Sequence, residues 1–380
     1  MGQTPVAYNP KNGSLSKFRK KYKVLEMVDY YSELVRELFL IRNPQYRFVS
    51  NYENAFEQFY QQHLQGKKSE HAGKWFYFPW SKKLVHYLPE KLHQELRTAR
   101  NKNIITPEEQ EKYYKMNIGI AGLSVGSHAA LTIVMSGGAK TIKLADPDTV
   151  SGSNLNRIRY DFSVLGKNKC ELAAQQIYQI NPYSNVYQFP EGLTEKNIRK
   201  FLAGPPKLDA LVEEVDNLEM KIRLRIEAKK LGIPVLMATD NADNVIVDIE
   251  RYDLNRKLRI FNGRAGNLDL AMFGKISPAD IPKLATKIAG PDYVTSRMQD
   301  SLMEVGKTLY SWPQLGTAAT LSGVAIAYLV KRLAQGEKLK SGKYEINFDG
   351  IFDPEYDSAK SRLKRERHRR NFLKKLGLDR

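Results

Sequence analysis

The chain has 380 residues, enough to bury a sizeable core, and its 42% hydrophobic and 27% charged content is that of an ordinary soluble globular protein. Sixty Lys and Arg against 42 Asp and Glu leave a formal net charge of +18, which points to an anionic partner such as ATP, an acidic peptide or nucleic acid. The single cysteine, Cys170, excludes an internal disulfide and a four-cysteine zinc site and fits a reducing cytoplasm, while the longest apolar run, 324–330, is too short to cross a bilayer and the polar start carries no leader pattern.

In chain order, residues 1–95 read as a separate, mainly α-helical domain. Val24, Met27, Val28, Tyr31, Leu34, Val35 and Leu38 recur at roughly helical spacing over 17–41, and Ala55, Phe56, Phe59 and Tyr60 mark a second helix over 51–64. The aromatic run Trp75, Phe76, Tyr77, Phe78 and Trp80 has two readings: the core of a small domain, or a platform that grips a peptide or a base. Arg97 and Arg100 then stand three residues apart on one helix face, as surface ion-pairing groups or as an anion-directed pair. Thr106, Pro107 and Glu109 mark a helix start of the capping-box type.

Residues 117–169 carry the nucleotide-binding pattern. An apolar strand over 117–121 enters a small-residue turn with Gly122, Ser124 and Gly126. An apolar helix over 128–135 stops at Gly137 and Gly138, and a second strand over 141–145 delivers Asp146. Glycines let backbone approach a phosphate, a helix N-terminus offers unpaired N–H groups, and an acid about 20 residues on reaches a ribose hydroxyl. Ser124 stands where the dinucleotide fingerprint has a glycine, so a packed strand–helix corner without ligand is the other reading. After Asp146 come Asp148, Asn154, Arg157, Gly166 and Lys169. These donors and cations suit a triphosphate, at a place where a dehydrogenase would continue into a crossover helix.

The string Asp-x-Asp-x-Val-x-x-Ser-Asn-Leu-x-Arg over 146–157, followed by Gly-x-x-Lys over 166–169, resembles the ubiquitin-activating-enzyme-like (E1-like; ThiF, MoeB, HesA) adenylyltransferase superfamily. The resemblance runs from about residue 97 to 335. It implies an α/β fold: a Rossmann-like doubly wound sheet in an adenylation domain over 96–350, with the N-terminal domain before it and a basic tail over 351–380. It also implies an ATP- and Mg²⁺-dependent nucleotidyltransferase. Gly122, Ser124 and Gly126 would shape the nucleotide turn, and Asp146 and Asp148 would lie on the ribose side. Asn154, Arg157 and Lys169 would hold the phosphates. Arg97, Arg100 and Asn101 resemble the family's Arg-x-x-Arg-Gln string, which would make Arg100 a finger acting in trans on the ATP of the other subunit of a homodimer.

Further along, helices are expected over 170–180, 194–202 and 218–231, and strands over 184–189, 208–215 and 233–238. The strand over 208–215 delivers Asp216 and Asn217 at its carboxyl end, where α/β sheets bind ligands. By the resemblance Asp216 is the Mg²⁺ residue and Asn217 lies beside it; a helix N-cap is the lesser reading of Asp216, and the two roles can coexist. Glu213 and Glu214 are unusual in a core strand, as structural acids or as aids to the metal. In some relatives a cysteine beyond position 239 takes the substrate as a thioester. None follows Cys170 here, and Cys170 reads as a packing residue, so neither an enzyme thioester nor zinc is expected.

Residues 265–310 read as substrate-facing loops, with Arg264 and Arg297 available for a carboxylate. A small-residue helix over 315–333 is expected at a subunit interface, and a late strand over 343–348. The tail beyond 358 holds Arg362, Arg365, Arg369, Lys374 and other cations, as a solvated helix or as a surface for RNA, an acidic peptide or a membrane. The combined expectation is a cytoplasmic adenylyltransferase that activates a carboxylate, foremost that of a small protein or peptide, as an acyl-adenylate. A tRNA-modifying enzyme of the threonylcarbamoyladenosine dehydratase type and a nucleotide-binding module without chemistry are the alternatives.

Overall fold

The computed structural model describes residues 4–266 and 280–378. It divides into two compact units: Met1–Glu111 with Gln175–Ser184, and Lys112–Ala174 with Asn185–Arg380. No helix among the described residues is long and apolar enough to cross a membrane.

The first unit contains β1 (Val6–Ala7), α1 (Leu15–Tyr22), β2 (Glu26–Val28), α2 (Tyr31–Arg42), α3 (Glu53–Leu64), β3 (Lys74–Phe78), β4 (Lys83–Tyr87) and α4 (Glu90–Arg97). The strands form a sheet in the order β1-β3-β4-β2, which adds to the helices expected there. The single helix expected over 17–41 is instead two helices with a strand between them. Lys23 adopts a left-handed conformation (φ 49°) that closes α1, and 26–28 pairs in parallel with β4. Asp29 then accepts from the Tyr31 backbone N–H at 3.2 Å, where α2 begins. Trp75, Phe76, Tyr77 and Phe78 are all buried, so the aromatic run is core; Trp75 stacks on His86, and His86 on Tyr31. A turn over Ala99–Asn101 exposes Arg100, and α5 (Pro107–Lys115) starts with the expected capping box, Thr106 N–H to Glu109 and Glu109 N–H to Thr106 Oγ1.

The second unit is the α/β body. Its elements are β5 (Asn117–Ala121), α6 (Val125–Met135), β6 (Thr141–Ala145), α7 (Lys169–Ile180), β7 (Asn185–Phe189), α8 (Ile198–Ala203), β8 (Ala210–Glu213), α9 (Leu218–Leu231), β9 (Val235–Asn241) and β10 (Asn244–Glu250). They continue with α10 (Ile281–Ala289), α11 (Ser296–Glu304), α12 (Gly316–Ala334), β11 (Gly342–Ile346), α13 (Phe348–Phe352) and α14 (Ala359–Leu376). The last turns of α7, from Gln175, belong to the first unit. One seven-stranded sheet has the order β11-β10-β9-β8-β5-β6-β7, parallel from β9 to β7 and antiparallel at β10 and β11. β6 and β8 are buried throughout, as strands covered on both faces must be. The chain runs from β5 to one edge at β7, then returns to β8 on the other side of β5. The crevice at the carboxyl ends of β5 and β8 is therefore the topological switch point, where such sheets bind ligands.

In this unit one feature corrects the sequence reading and another decides between alternatives it left open. Residues 280–310 are not loops: they carry α10, which buries Leu284 and Ile288, and α11, capped by Thr295 through the Met298 N–H. Both helices have nine residues, too short for a clear 3.6-residue pattern, and 267–279 lie outside the described residues. Glu213 is structural. It is fully buried between Lys221, at 3.0 Å, and Arg225, and Arg225 Nε also donates to Glu250 at 2.6 Å. Burial alone would raise the Glu213 pKa; the charges of Lys221 and Arg225 hold it below the ordinary range. The basic tail forms α14, which buries Phe372 and Leu376 and pairs Arg369 with Asp292 and Glu366.

Candidate active site

The turn after β5 is built around one glycine. Gly122 has φ +88°, and a Cβ there would stand 2.3 Å from the Glu214 carbonyl oxygen, so the β5 and β8 loops approach as only glycine allows. Ser124 stands just before α6 and leaves its hydroxyl free of helix capping. That hydroxyl accepts from Arg157 Nε at 3.1 Å, and Arg157 Nη1 donates to the Ser153 carbonyl at 3.0 Å and to Asn156 Oδ1 at 2.9 Å. Burial lowers the Arg157 pKa, while the charges of Asp240 and Asp216 act to raise it. His128, on α6, donates from Nε2 to the Arg157 carbonyl at 2.5 Å, which fixes this loop against the helix.

At the end of β6, Asp146 is buried and both its oxygens are engaged. One accepts from the Leu123 N–H at 2.6 Å and the other from the Asp148 N–H at 2.8 Å. Burial raises its pKa against the lowering effect of Lys169 and these two hydrogen bonds. Lys169 Nζ, nearly buried, pairs with the exposed carboxylate of Asp148 at 3.0 Å. Asn168 ties this corner together: its Oδ1 accepts from the Cys170 and Glu171 N–H groups, and its Nδ2 donates to the carbonyls of Asp146, Asp148 and Pro190.

Between the β5 turn and the ends of β8 and β9 lies a cavity of about 330 Å³. Its polar lining includes Ser124, Arg157, Glu214, Asp216, Lys221 and Asp240. Asp216 is exposed, and Glu214 accepts from the Ala238 N–H at 2.8 Å; burial drives the Glu214 carboxyl well above the usual carboxylate range. Asp240 accepts from Ser322 Oγ at 3.0 Å and from Gln314 Nε2 at 3.3 Å. Burial pushes it up to about 6, with the charge of Asp216 adding to the rise.

Of the expected residues, the cavity brings together Ser124, Arg157 and Asp216, with Gly122 shaping the crevice beside them. Asp146, Asp148 and Lys169 form a second cluster at the end of β6. Gly126 lies buried in the first turn of α6. Asn154 is buried in the loop, its Oδ1 accepting from the Ser151 N–H at 3.1 Å. The capping role weighed for Asp216 falls instead to Asn217, whose Oδ1 accepts from the Met220 N–H at 2.9 Å. Arg264 reaches Tyr293, and neither it nor Arg297 lines this cavity. Asp240 was missed as a site residue, although it stands at the carboxyl end of a strand just as Asp216 does. Glu214 was marked in the sequence as an unusual acid in a core strand, whereas Asn168 has no such signal, because its role comes from hydrogen bonds across the fold.

Among the described residues no group of three or more His, Cys, Asp or Glu could cage a metal ion. Magnesium does not require one; it takes one or two carboxylates and completes its shell with phosphate oxygens and water. Asp216 and Asp240 both line the cavity, and the charge of Asp216 is felt at Asp240, which fits that donor set.

Residues 97–241 match the ThiF family. The chain carries a ThiF family domain. An uncharacterized protein of Mycobacterium tuberculosis is 34% identical over 284 residues, covering 75% of this chain and 39% of that protein. The tRNA threonylcarbamoyladenosine dehydratase of Bacillus subtilis is 30% identical over 154 residues, 40% of this chain and 58% of its own length. The molybdopterin-synthase adenylyltransferase of Haemophilus influenzae is 28% identical over 151 residues, with 38% and 61% covered. This chain spans less than two thirds of the length of each of the three. The matched ThiF region holds the β5 turn, both acidic clusters and Arg157, and extends through Asp240 to Asn241. Cys170 lies within it, buried, with its thiol pushed up to about 12 by burial.

Proposed function

We propose that the ThiF domain adenylates a carboxylate with ATP. The observation that carries this reading is a cavity at the switch point lined by Ser124, Arg157, Asp216 and Asp240. A carboxylate oxygen of the substrate attacks the α-phosphorus of ATP. The bond to the β-phosphate oxygen breaks, and pyrophosphate leaves with the electron pair. Such a displacement needs positioning and charge neutralisation rather than a protein nucleophile. Backbone N–H groups of the turn and Arg157 orient the phosphates, and Lys169 and Asp148 bind on the ribose and phosphate side. Asp216 and Asp240 would hold Mg²⁺, which neutralises the phosphate charge when bound. The acyl-adenylate is then taken by an external nucleophile.

The substrate read from the sequence is the carboxylate of a small protein or peptide. A tRNA-linked carboxylate is the second reading, favoured by the +18 charge, the cations of α14 and the name of the Bacillus relative. A nucleotide-binding module without chemistry is the third. Incubation of the protein with α-labelled ATP, Mg²⁺ and a peptide- and RNA-containing extract distinguishes them. AMP and pyrophosphate formed by the wild type and not by Asp216→Ala support adenylation, and ADP formed equally by both removes it. Tight ATP binding without turnover in any fraction leaves the module.

Arg100 acting in trans within a homodimer belongs to the same proposal. Inactive Arg100→Ala and Asp216→Ala proteins, mixed after partial unfolding, would regain activity in hybrid dimers, because each hybrid keeps one intact site. Absence of any regain sets the trans role aside.

A further inference from the structure

We propose, resting on the adenylation reading, that the activated carboxylate belongs to the C-terminal residue of a peptide whose side chain is large and apolar, and that α10 and α11 form the pouch for it. The cavity that carries Arg157 and Asp216 on its polar wall is continuous with an apolar wall made by Ile246 of β10, Ala285 and Ile288 of α10, Val294, and Met298 and Leu302 of α11. Ile246, Val294 and Met298 are nearly buried and pack as one cluster.

The sheet order decides which half of a reacting pair belongs there. The nucleotide determinants lie at the β5 turn and, beyond it, at the end of β6, where Asp146, Asp148 and Lys169 converge. The pouch lies on the other side of the switch point, beside β9 and β10. A carboxylate held at Arg157 would lie in the same cavity as the apolar side chains of α10 and α11, so the atoms one or two bonds behind it can meet that apolar lining. A glycine terminus would leave that wall facing water, whereas a leucine or phenylalanine side chain would cover it. A pocket of this kind discriminates by roughly 10- to 200-fold per methylene group.

Trp312 lines the same cavity and is 39% exposed, which supplies a direct readout. The full-length protein, held with a non-hydrolysable ATP analogue, would be titrated with N-acetylated glycyl-glycyl-leucine, glycyl-glycyl-phenylalanine and glycyl-glycyl-glycine while tryptophan fluorescence is followed; Trp312→Phe assigns the signal. The expected result is binding of the leucine and phenylalanine peptides at least tenfold tighter than the glycine peptide. Ala285→Phe, which fills the pouch, should weaken the leucine peptide at least tenfold without changing affinity for the ATP analogue. Met298→Ala, which enlarges it, should shift preference towards phenylalanine.

Equal affinity for the three peptides, or no binding of any at millimolar concentration, overturns the proposal. So does an Ala285→Phe variant that loses the ATP analogue and not the peptides, because the adenine would then occupy the pouch. Pyrophosphate exchange with the same peptides separates this inference from the reading beneath it. Selective binding without exchange for any of them removes the adenylation reading, while exchange that is equal for all three removes the pouch.

Discussion

Arg157 Nε donates to the Ser124 hydroxyl at 3.1 Å, so the loop that follows β6 is fastened to the residue that opens α6. A phosphate bound at that turn would meet a guanidinium already held in place by Ser124, Ser153 and Asn156. Lysine keeps the charge but lacks the planar fork that makes these contacts. Arg157→Lys should therefore lower the rate of pyrophosphate exchange on the order of 10²-fold, the cost of losing one oriented donor to a developing charge. Its melting temperature should stay near that of the wild type, and a normal exchange rate would remove Arg157 from the phosphate site.

Asp216 and Asn217 are adjacent but should separate cleanly in mutagenesis. Asp216 is exposed on the cavity wall, whereas Asn217 caps α9 through the Met220 N–H. Asp216→Asn should abolish Mg²⁺-dependent exchange and leave the unfolding midpoint unchanged. Asn217→Ala should cost about 1 kcal/mol of stability, the usual worth of a cap, with little effect on exchange. Urea unfolding beside the exchange assay checks both, and the reverse pattern would exchange the two roles.

Asp240 should make stability depend on pH in metal-free buffer. Its folded pKa is raised from 3.8 to about 6, so between those values the folded state binds more protons than the unfolded chain. Stability from this group therefore falls as pH rises through that window, and the full penalty persists above about pH 6. Asp240→Asn should be more stable than the wild type at pH 7.5, by about 1–3 kcal/mol, and the gain should vanish near pH 4. Unfolding midpoints at the two pH values, in the presence of a chelator, measure the difference.

Arg225 is fully buried between Glu213 and Glu250, with its guanidinium 4.1 Å from the centre of the Phe261 ring. Tyr252 and the Phe261 N–H also converge on Glu250. Arg225→Met leaves two buried carboxylates short of their cation, a change that costs about 3–5 kcal/mol. Replacing Glu213 and Glu250 by Gln in the same chain should recover part of that loss. Calorimetric unfolding of the three proteins tests whether the cluster is the keystone of β8, α9 and β10.

The strongest sequence signals were those imposed by local chemistry. The alternation of apolar strand, glycine turn and apolar helix fixed β5, α6 and β6, because a parallel strand buried on both faces is largely apolar, and the one buried cation of β6, Lys143, donates to the Phe201 and Gly204 carbonyls. The Thr106 and Glu109 capping box could be read from four consecutive positions, since all its partners lie within one turn. The segment over 17–41 misled for the same local reason: apolar residues there fit a helical period, yet Val24, Met27 and Val28 lie in and beside a strand whose partner, β4, is more than fifty residues away.

By itself, then, the sequence determined the α/β class, the glycine turn after β5, and the local places of Ser124, Arg157, Asp216 and Lys169, because each is set by spacing along one strand, loop or helix start. Only the tertiary structure decided how those residues divide. It placed Arg157 and Asp216 on a cavity wall, assigned Asn217 to a helix cap, locked Glu213 into a buried ion cluster and brought Asp240 beside Asp216. It also turned α10 and α11 into an apolar wall. Those outcomes depend on which strands become neighbours, and neighbours in this sheet are chosen by long-range packing that no short window of sequence contains.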